Sequence, residues 1–221
     1  MIKVERNPSA PASLAIEKDK SNGSYNCDDV MAQLNNDFYG KCYLCEIKPL
    51  QSVEVEHLIP HRENKELKFG WNNLFLCCRH CNSVKTNHRY YKKILDCCVI
   101  DPESKLEQQF IDGHVVVNPK DQDENTKMTA QLIQECFELR NTAIRVLESQ
   151  TRIDELSLTM NLLYKKLLAY KNNPEEQHLR VLRGMLNRQY KFSGFTRTYV
   201  RLNLDIYPDL APYVTIQNTL N

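Results

Sequence analysis

At 221 residues the chain is long enough to bury a real core, as one compact domain or as a small module joined to a second domain. Lys and Arg number 29 against 28 Asp and Glu, in a chain 42% hydrophobic and 26% charged; this is a soluble globular make-up, and any basic surface must be local. The nine cysteines sit in knuckles and doublets, with no secretory leader pattern and no apolar run of about eighteen residues, so reduced thiols, a cytoplasmic location and no membrane insertion are expected.

Residues 1–24 are rich in Pro, Ser and charge after a short apolar start, and read as an N-terminal arm, either a flexible terminus or a strap on another surface. From about residue 26 a helix is predicted: Asn26 can cap it, Asp28 and Asp29 suit its first turn, Val30, Leu34 and Phe38 share a face, and Gly40 can end it. Alternation over 53–57 predicts a short strand, 74–78 a second, and a helix is expected from Asn82 to about Lys93. The long polar stretch between the strands is tolerable only if pinned, which the Asn73 side chain can do. Trp71 and Phe75 read as core. Together residues 25–98 form one module, and 99–125 a connector in which Asp112-Gly113 signals a tight hairpin, with His114 incidental beside it.

Residues 126–221 read as a helical domain. Apolar residues recur at three and four spacing from about Thr126 to Val200, with Asn172-Asn173-Pro174 as a break, which predicts roughly three helices. The later part is locally basic, through Lys165, Lys166, Lys171, Arg180, Arg183, Arg188, Lys191, Arg197 and Arg201, with Tyr164, Tyr170, Tyr190 and Tyr199 interleaved. It is either a solvated helix face over an aromatic-lined core or a surface for nucleic acid or a partner.

The chemistry concentrates in residues 42–85. Two Cys-x-x-Cys pairs, Cys42/Cys45 and Cys78/Cys81, suit a tetrahedral Zn²⁺, because a two-residue spacer lets both sulfurs of a pair reach one ion about 2.3 Å away. Four sulfurs leave no position for water, so that zinc is structural. Cys77 is the alternative ligand, at the loss of the knuckle spacing, and His80 reads as a solvated knuckle residue. Reaction chemistry then falls to Glu56, His57 and Asn82. A hard cation such as Mg²⁺ takes oxygen from one or two side chains, which Glu56 and the Asn82 amide supply. His57, with an unperturbed pKa near 6.5, can be neutral and take a proton from an attacking water. Lys85 would share a helix face with Asn82 and either meets a phosphate or is a solvated lysine. Adjacent residues on a regular strand point to opposite faces, so Glu56 and His57 can share a metal only where the strand ends or bulges; Pro60 is consistent with an ending.

Position by position, these residues resemble the HNH (ββα-metal) nuclease motif in its zinc-stapled form. The knuckle is Cys42/Cys45, Glu56-His57 stands where the family has Asp/Glu-His, Asn73-Leu74 carries the middle asparagine, and Cys78-x-x-Cys81-Asn82-x-x-Lys85 closes the motif. The resemblance implies an α+β fold with a ββα-metal module, to which the sequence pattern adds a mostly helical C-terminal half. It further implies His57 as the water-activating base, Glu56 and Asn82 on a catalytic Mg²⁺ or Mn²⁺, and Asn73 as the loop pin, in an endonuclease hydrolysing phosphodiester bonds of DNA or RNA. Glu56 in place of the commoner Asp, and Asn82 in place of the commoner His, leave the metal preference open.

Over nearly the whole chain, the opening IKVERNPSAP, the helix led by Ser24-Tyr25-Asn26, the run NKELKFGWNNLFL and the helical C-terminal half resemble the HNH subunits of bacterial Septu anti-phage systems, the PtuB family, including those linked to retrons. That resemblance implies an ABC-type ATPase subunit, PtuA-like, as partner and, in retron-linked systems, a reverse transcriptase with its RNA–DNA hybrid. The residues also admit a second reading, a zinc-stapled module that binds nucleic acid or a partner through an idle nuclease-like site.

Overall fold

The apolar-rich run Leu74–Cys78 (β2) pairs antiparallel with Val53–His57 (β1), in an unbroken register from Val53 opposite Cys78 to His57 opposite Leu74. The computed structural model describes residues 1–86, 94–138 and 143–216, the last segment with side chains from residue 146 onward. Both strands match the sequence pattern residue for residue. Helix α4, Arg79–Lys85, follows β2 directly, three residues before the expected start at Asn82, so Cys81 and Asn82 both lie on it. The expected continuation to Lys93 lies outside the described residues.

Helix α1 covers Ala12–Lys18 and α2 covers Asp28–Asp37, with Asp28 and Asp29 in the first turn of α2 and Val30 and Leu34 buried. Asn26 does not cap α2; Cys27 holds that position with extended backbone and no side-chain bond. Gly40 follows with φ +65°, a conformation that favours glycine. The start of the arm is not a flexible terminus but lies against the rest of the chain. Met1, Ile2 and Val4 are buried, Val4 N–H donates to the Cys97 carbonyl, and Arg6 donates to the Trp71 and Leu74 carbonyls while its guanidinium lies over Trp71 and Phe75. Proline and charge suggested solvent, but the cation is spent on an aromatic floor. Trp71 and Phe75 are core residues, as expected.

The inter-strand stretch contains α3, Lys65–Phe69, capped by the Asn64 side chain, and a 3-10 turn at Trp71–Asn73. After α5 (Pro102–Lys105), β3 (Leu106–Ile111) and β4 (His114–Pro119) form the predicted hairpin; Asp112 and Gly113 both have positive φ, the two-residue turn that matches strand twist.

The C-terminal half is helical: α6 (Glu124–Glu135), α7 (Ala143–Asn172), α8 (Glu176–Leu186), α9 (Ser193–Leu202) and the short α10 (Ala211–Val214). Among the described residues these helices stand where roughly three were expected, α6 ending at Glu135 with Cys136 at its C-cap. Part of the basic run is paired within the chain, while Lys165, Lys171, Arg180 and Arg183 stay exposed. Arg197 Nε lies 2.9 and 3.0 Å from the Glu103 carboxylate oxygens, Arg201 also meets Glu103, and Arg188 bridges Asp101 and Glu103. Lys191 pairs with Glu155 and Arg183 with Glu176. A buried carboxylate needs paired charge, and Glu103, fully buried, takes three arginines from the supposed surface.

One contiguous core joins these parts. Glu46, next to the first knuckle, accepts from the backbone nitrogen of Met1, Lys41 Nζ, Ser193 Oγ and Gly194 N–H. A Cβ at Gly194 would lie 2.6 Å from a Glu46 oxygen and 2.4 Å from Gln108 Nε2, so a larger residue would have to displace these two side-chain ends. Among the described residues no helix is long and apolar enough to cross a membrane.

Candidate active site and zinc centre

The knuckle after α2 and the turn from β2 into α4 bring Cys42, Cys45, Cys78 and Cys81 together, all buried, with the four sulfurs within 4.8 Å of one another. A tetrahedral ion with sulfur ligands at about 2.3 Å needs edges of about 3.8 Å, and Cys45 Sγ to Cys78 Sγ is 3.9 Å. The set fits Zn²⁺. Thiol hydrogen bonds from Cys42, Cys45 and Cys81, with Arg152 adding its charge, hold Cys78 far below the usual thiol range, whereas burial pushes the other three well above it. A buried set of four thiols becomes four thiolates only with a cation among them. Cys77 faces Glu54 across the hairpin; burial pushes it up to about 12, and it lies outside the four-sulfur cluster although its sulfur is 3.8 Å from that of Cys42.

His80 is not a solvated knuckle residue. It is buried, with Nδ1 2.9 Å from Glu148 Oε2 and Nε2 3.0 Å from the Cys136 carbonyl, which can only accept. Arg152 Nη2 reaches Cys78 Sγ at 3.1 Å. Helices α6 and α7 therefore close over the second knuckle through contacts that the Cys-x-x-Cys spacing does not announce.

At the other end of the hairpin, the chain after His57 is fastened by Asn73. Its Oδ1 accepts from Ile59 N–H at 2.8 Å, and its Nδ2 donates to the Ile59 and Leu67 carbonyls at 2.8 and 2.9 Å. His57 Nε2 lies 3.0 Å from the Lys68 carbonyl. A carbonyl cannot donate, so Nε2 carries the hydrogen and, in the neutral ring, Nδ1 keeps its lone pair. The ring packs edge-on against Tyr25 and His61 at 4.5 and 4.8 Å and retains 9% exposure, enough for contact with solvent. Burial lowers the His57 pKa, the positive charges of His61, Lys85 and Lys68 adding to it against the Lys68 carbonyl.

Glu56 points away from His57, as strand alternation without a bulge requires. It is buried and accepts from Tyr43 Oη at 2.8 Å and from Lys85 Nζ. Burial raises its pKa more than these two partners lower it. Lys85 is itself buried and also donates to the His57 and Leu58 carbonyls at 2.7 and 2.9 Å, so it is not a solvated lysine. The Asn82 Nδ2 donates to Glu54 Oε2 at 2.7 Å. The i, i+2 pair Glu54 and Glu56 thus faces α4, Glu54 meeting Asn82 and Arg79 and Glu56 meeting Lys85. The oxygen donors expected to share a catalytic cation each engage another partner, and among the described residues the four cysteines are the one His/Cys/Asp/Glu cluster placed for a metal.

Glu54, Tyr43, Tyr25 and His61 were not singled out from sequence as site residues. Period-two alternation signals Glu54, two residues before Glu56; no local pattern announces the two tyrosines. Comparison with protein-family models matches residues 42–88 to HNH endonucleases, and comparison with curated proteins finds no match. The matched stretch spans both knuckles, the hairpin and α4, and the chain accordingly carries an HNH endonuclease domain with a four-cysteine site suited to structural zinc.

Proposed function

We propose that this chain is an active HNH endonuclease that hydrolyses phosphodiester bonds in nucleic acid, with His57 as general base. The observation that carries the reading is the His57 Nε2 contact to the Lys68 carbonyl, which leaves Nδ1 as the acceptor. In the reaction, water oxygen bonds to phosphorus, its proton passes to Nδ1, and the bond from phosphorus to the leaving oxygen breaks as that oxygen takes a proton from solvent. Asn73 positions the loop, and a neutral imidazole at cellular pH is what burial favours. HNH nucleases use divalent metals, and Mg²⁺ or Mn²⁺ dependence belongs to the proposal, with Glu56 and Asn82 as its ligands once released from Lys85 and Glu54.

The finer assignment is that the chain is the effector subunit of a bacterial anti-phage system of the Septu or retron type, acting in the cytoplasm beside an ABC-type ATPase, and in retron-linked systems beside a reverse transcriptase and its RNA–DNA hybrid. Three features support a partner-dependent effector. The chain has near-zero net charge, whereas nucleic-acid affinity rests on phosphate contacts. Five basic residues of its C-terminal half are paired internally. Finally, α7 exposes Leu147, Leu158 and Leu162, which at about 3.6 residues per turn fall on one side of the helix and offer a docking face for the ATPase.

The test is cleavage of plasmid, single strands and total tRNA with Mg²⁺ or Mn²⁺, by the wild type and His57→Ala, with and without the ATPase. Metal-dependent cleavage lost in the variant supports the nuclease. No cleavage by zinc-loaded protein in complex with its partner makes the module a binding element with an idle site.

A further inference from the structure

The cation that faces the buried Glu56 carboxylate is a side chain of the same domain. Lys85 has three N–H donors, and the structure places three oxygens around them: Glu56 Oε1, the His57 carbonyl at 2.7 Å and the Leu58 carbonyl at 2.9 Å. All three belong to the end of β1 and the residue after it, and Tyr43 holds the other Glu56 oxygen at 2.8 Å. The ammonium is therefore saturated, and it occupies the kind of oxygen cluster that a small hard cation seeks. A lysine placed to meet a substrate phosphate would project outward, whereas the Lys85 side chain retains 5% exposure.

We propose that Lys85 is the built-in cation of this site: it competes with a divalent ion for Glu56, and must leave the carboxylate before Glu56 can bind metal. The physical reason is electrostatic. A monovalent and a divalent cation on one buried carboxylate repel each other strongly where water does not screen them. Because the same ammonium ties the carbonyls of His57 and Leu58, its departure also loosens the backbone that carries the proposed base, which links metal uptake to the placement of His57. Lys85 is a positioning residue in this scheme. The inference rests on the nuclease reading and adds to it an internal competitor that sets the metal requirement.

Calorimetric titration of zinc-loaded, full-length protein with Mn²⁺ tests it, comparing wild type, Lys85→Met, Glu56→Gln and the double variant. Lys85→Met should bind Mn²⁺ about tenfold more tightly or better, and the gain should vanish when Glu56→Gln is added. Equal or weaker Mn²⁺ binding by a Lys85→Met protein that keeps its zinc and its melting temperature overturns the proposal. Should that variant fail to fold, the wild type answers through lysine Nζ magnetic resonance, where a buried, triply bonded ammonium exchanges slowly enough to be seen and Lys85→Arg identifies its signal. Saturating Mg²⁺ should shift or erase that signal; Mg²⁺ binding that leaves it unchanged overturns the proposal. Cleavage assayed on the same variants in complex with the ATPase partner separates the two levels. A wild type that cleaves while Lys85→Met gains no affinity sinks only the competition, and Mn²⁺ uptake as described with no cleavage sinks the nuclease reading.

Discussion

The β1–β2 hairpin has two ends, and they treat charge in opposite ways. At the Val53–Cys78 end, four buried thiols converge and, among the described residues, Arg152 is the cation that reaches one of their sulfurs. At the His57–Leu74 end, the buried carboxylate Glu56 already has a cation, Lys85, supplied by α4. The first end is complete only with an ion from outside; the second is neutralised from within. A permanent metal and an exchangeable one make these different demands, since a structural ion must be indispensable to the fold whereas a catalytic one must be dispensable to it.

The sharpest way to break the comparison is at the cysteine end. Structural zinc contributes apparent binding energies of about 10–16 kcal/mol, beyond the net stability of a typical domain. Cys78→Ser should therefore lose zinc and cooperative folding, read by metal content and melting, while Cys77→Ser keeps both. Retained zinc in Cys78→Ser with loss in Cys77→Ser would show that the neighbouring sulfur is the ligand. At the opposite end, His57→Ala should lower the cleavage rate by about 10² to 10⁴ with zinc content and melting unchanged. A parallel loss of zinc would mean that the two ends are not separable.

A third substitution tests what joins them. Glu46 lies beside the first knuckle yet is bonded to Lys41, Ser193 and Gly194, and the charges of the Met1 amino group and Lys41 hold its carboxyl well below the usual range despite its burial. Glu46→Ala leaves the buried Lys41 without its counter-charge, for which about 3–5 kcal/mol is expected, measured as a loss of denaturant stability. Zinc should remain. Because Glu46 titrates below its unfolded value, its contribution is present above the unfolded carboxylate pKa and fades as pH falls toward the folded one. An unchanged stability in Glu46→Ala would show that Glu46 does not help to hold the helical half.

How much of this was legible in sequence follows the same division. Four identical ligands at fixed two-residue spacing leave the chain few ways to arrange them, and Val53–His57 and Leu74–Cys78 announced themselves by alternation and apolar content. Asn73 was legible as a pin because a long polar connection needs one. Lys85 was not: a long flexible cation three residues after Asn82 suits a phosphate, a carboxylate or solvent equally, and the choice of Glu56 was made by tertiary packing. The pairing of Asn82 with Glu54 was hidden likewise, because spacing gives a face and not a partner. Arg188, Arg197 and Arg201 read as surface because the carboxylates that absorb them, Asp101 and Glu103, lie roughly ninety residues earlier. The burial of residues 1–4 was invisible because its partners, Cys97 and Gln108, are equally remote.

The smallest effect concerns pH, and it separates the two ends again. A general base must be unprotonated, and burial of His57 disfavours the imidazolium, so its pKa lies below the unperturbed value near 6.5. The acid limb of kcat/KM should accordingly fall below about pH 6.5, with a flat rate through neutrality. Stability carries the same sign: between the folded and unfolded values the unfolded chain binds more protons at this ring, so the fold weakens as pH drops through that window. Acid also protonates thiolates and releases zinc, which would end activity for a reason that has nothing to do with His57. Zinc content measured across the same pH series distinguishes them. A rate that declines while zinc stays bound reports the histidine end of the hairpin; a rate that declines only in step with zinc release reports the cysteine end. A limb at or above about pH 6.5 with zinc retained would mean that the titrating base is not the buried imidazole of His57.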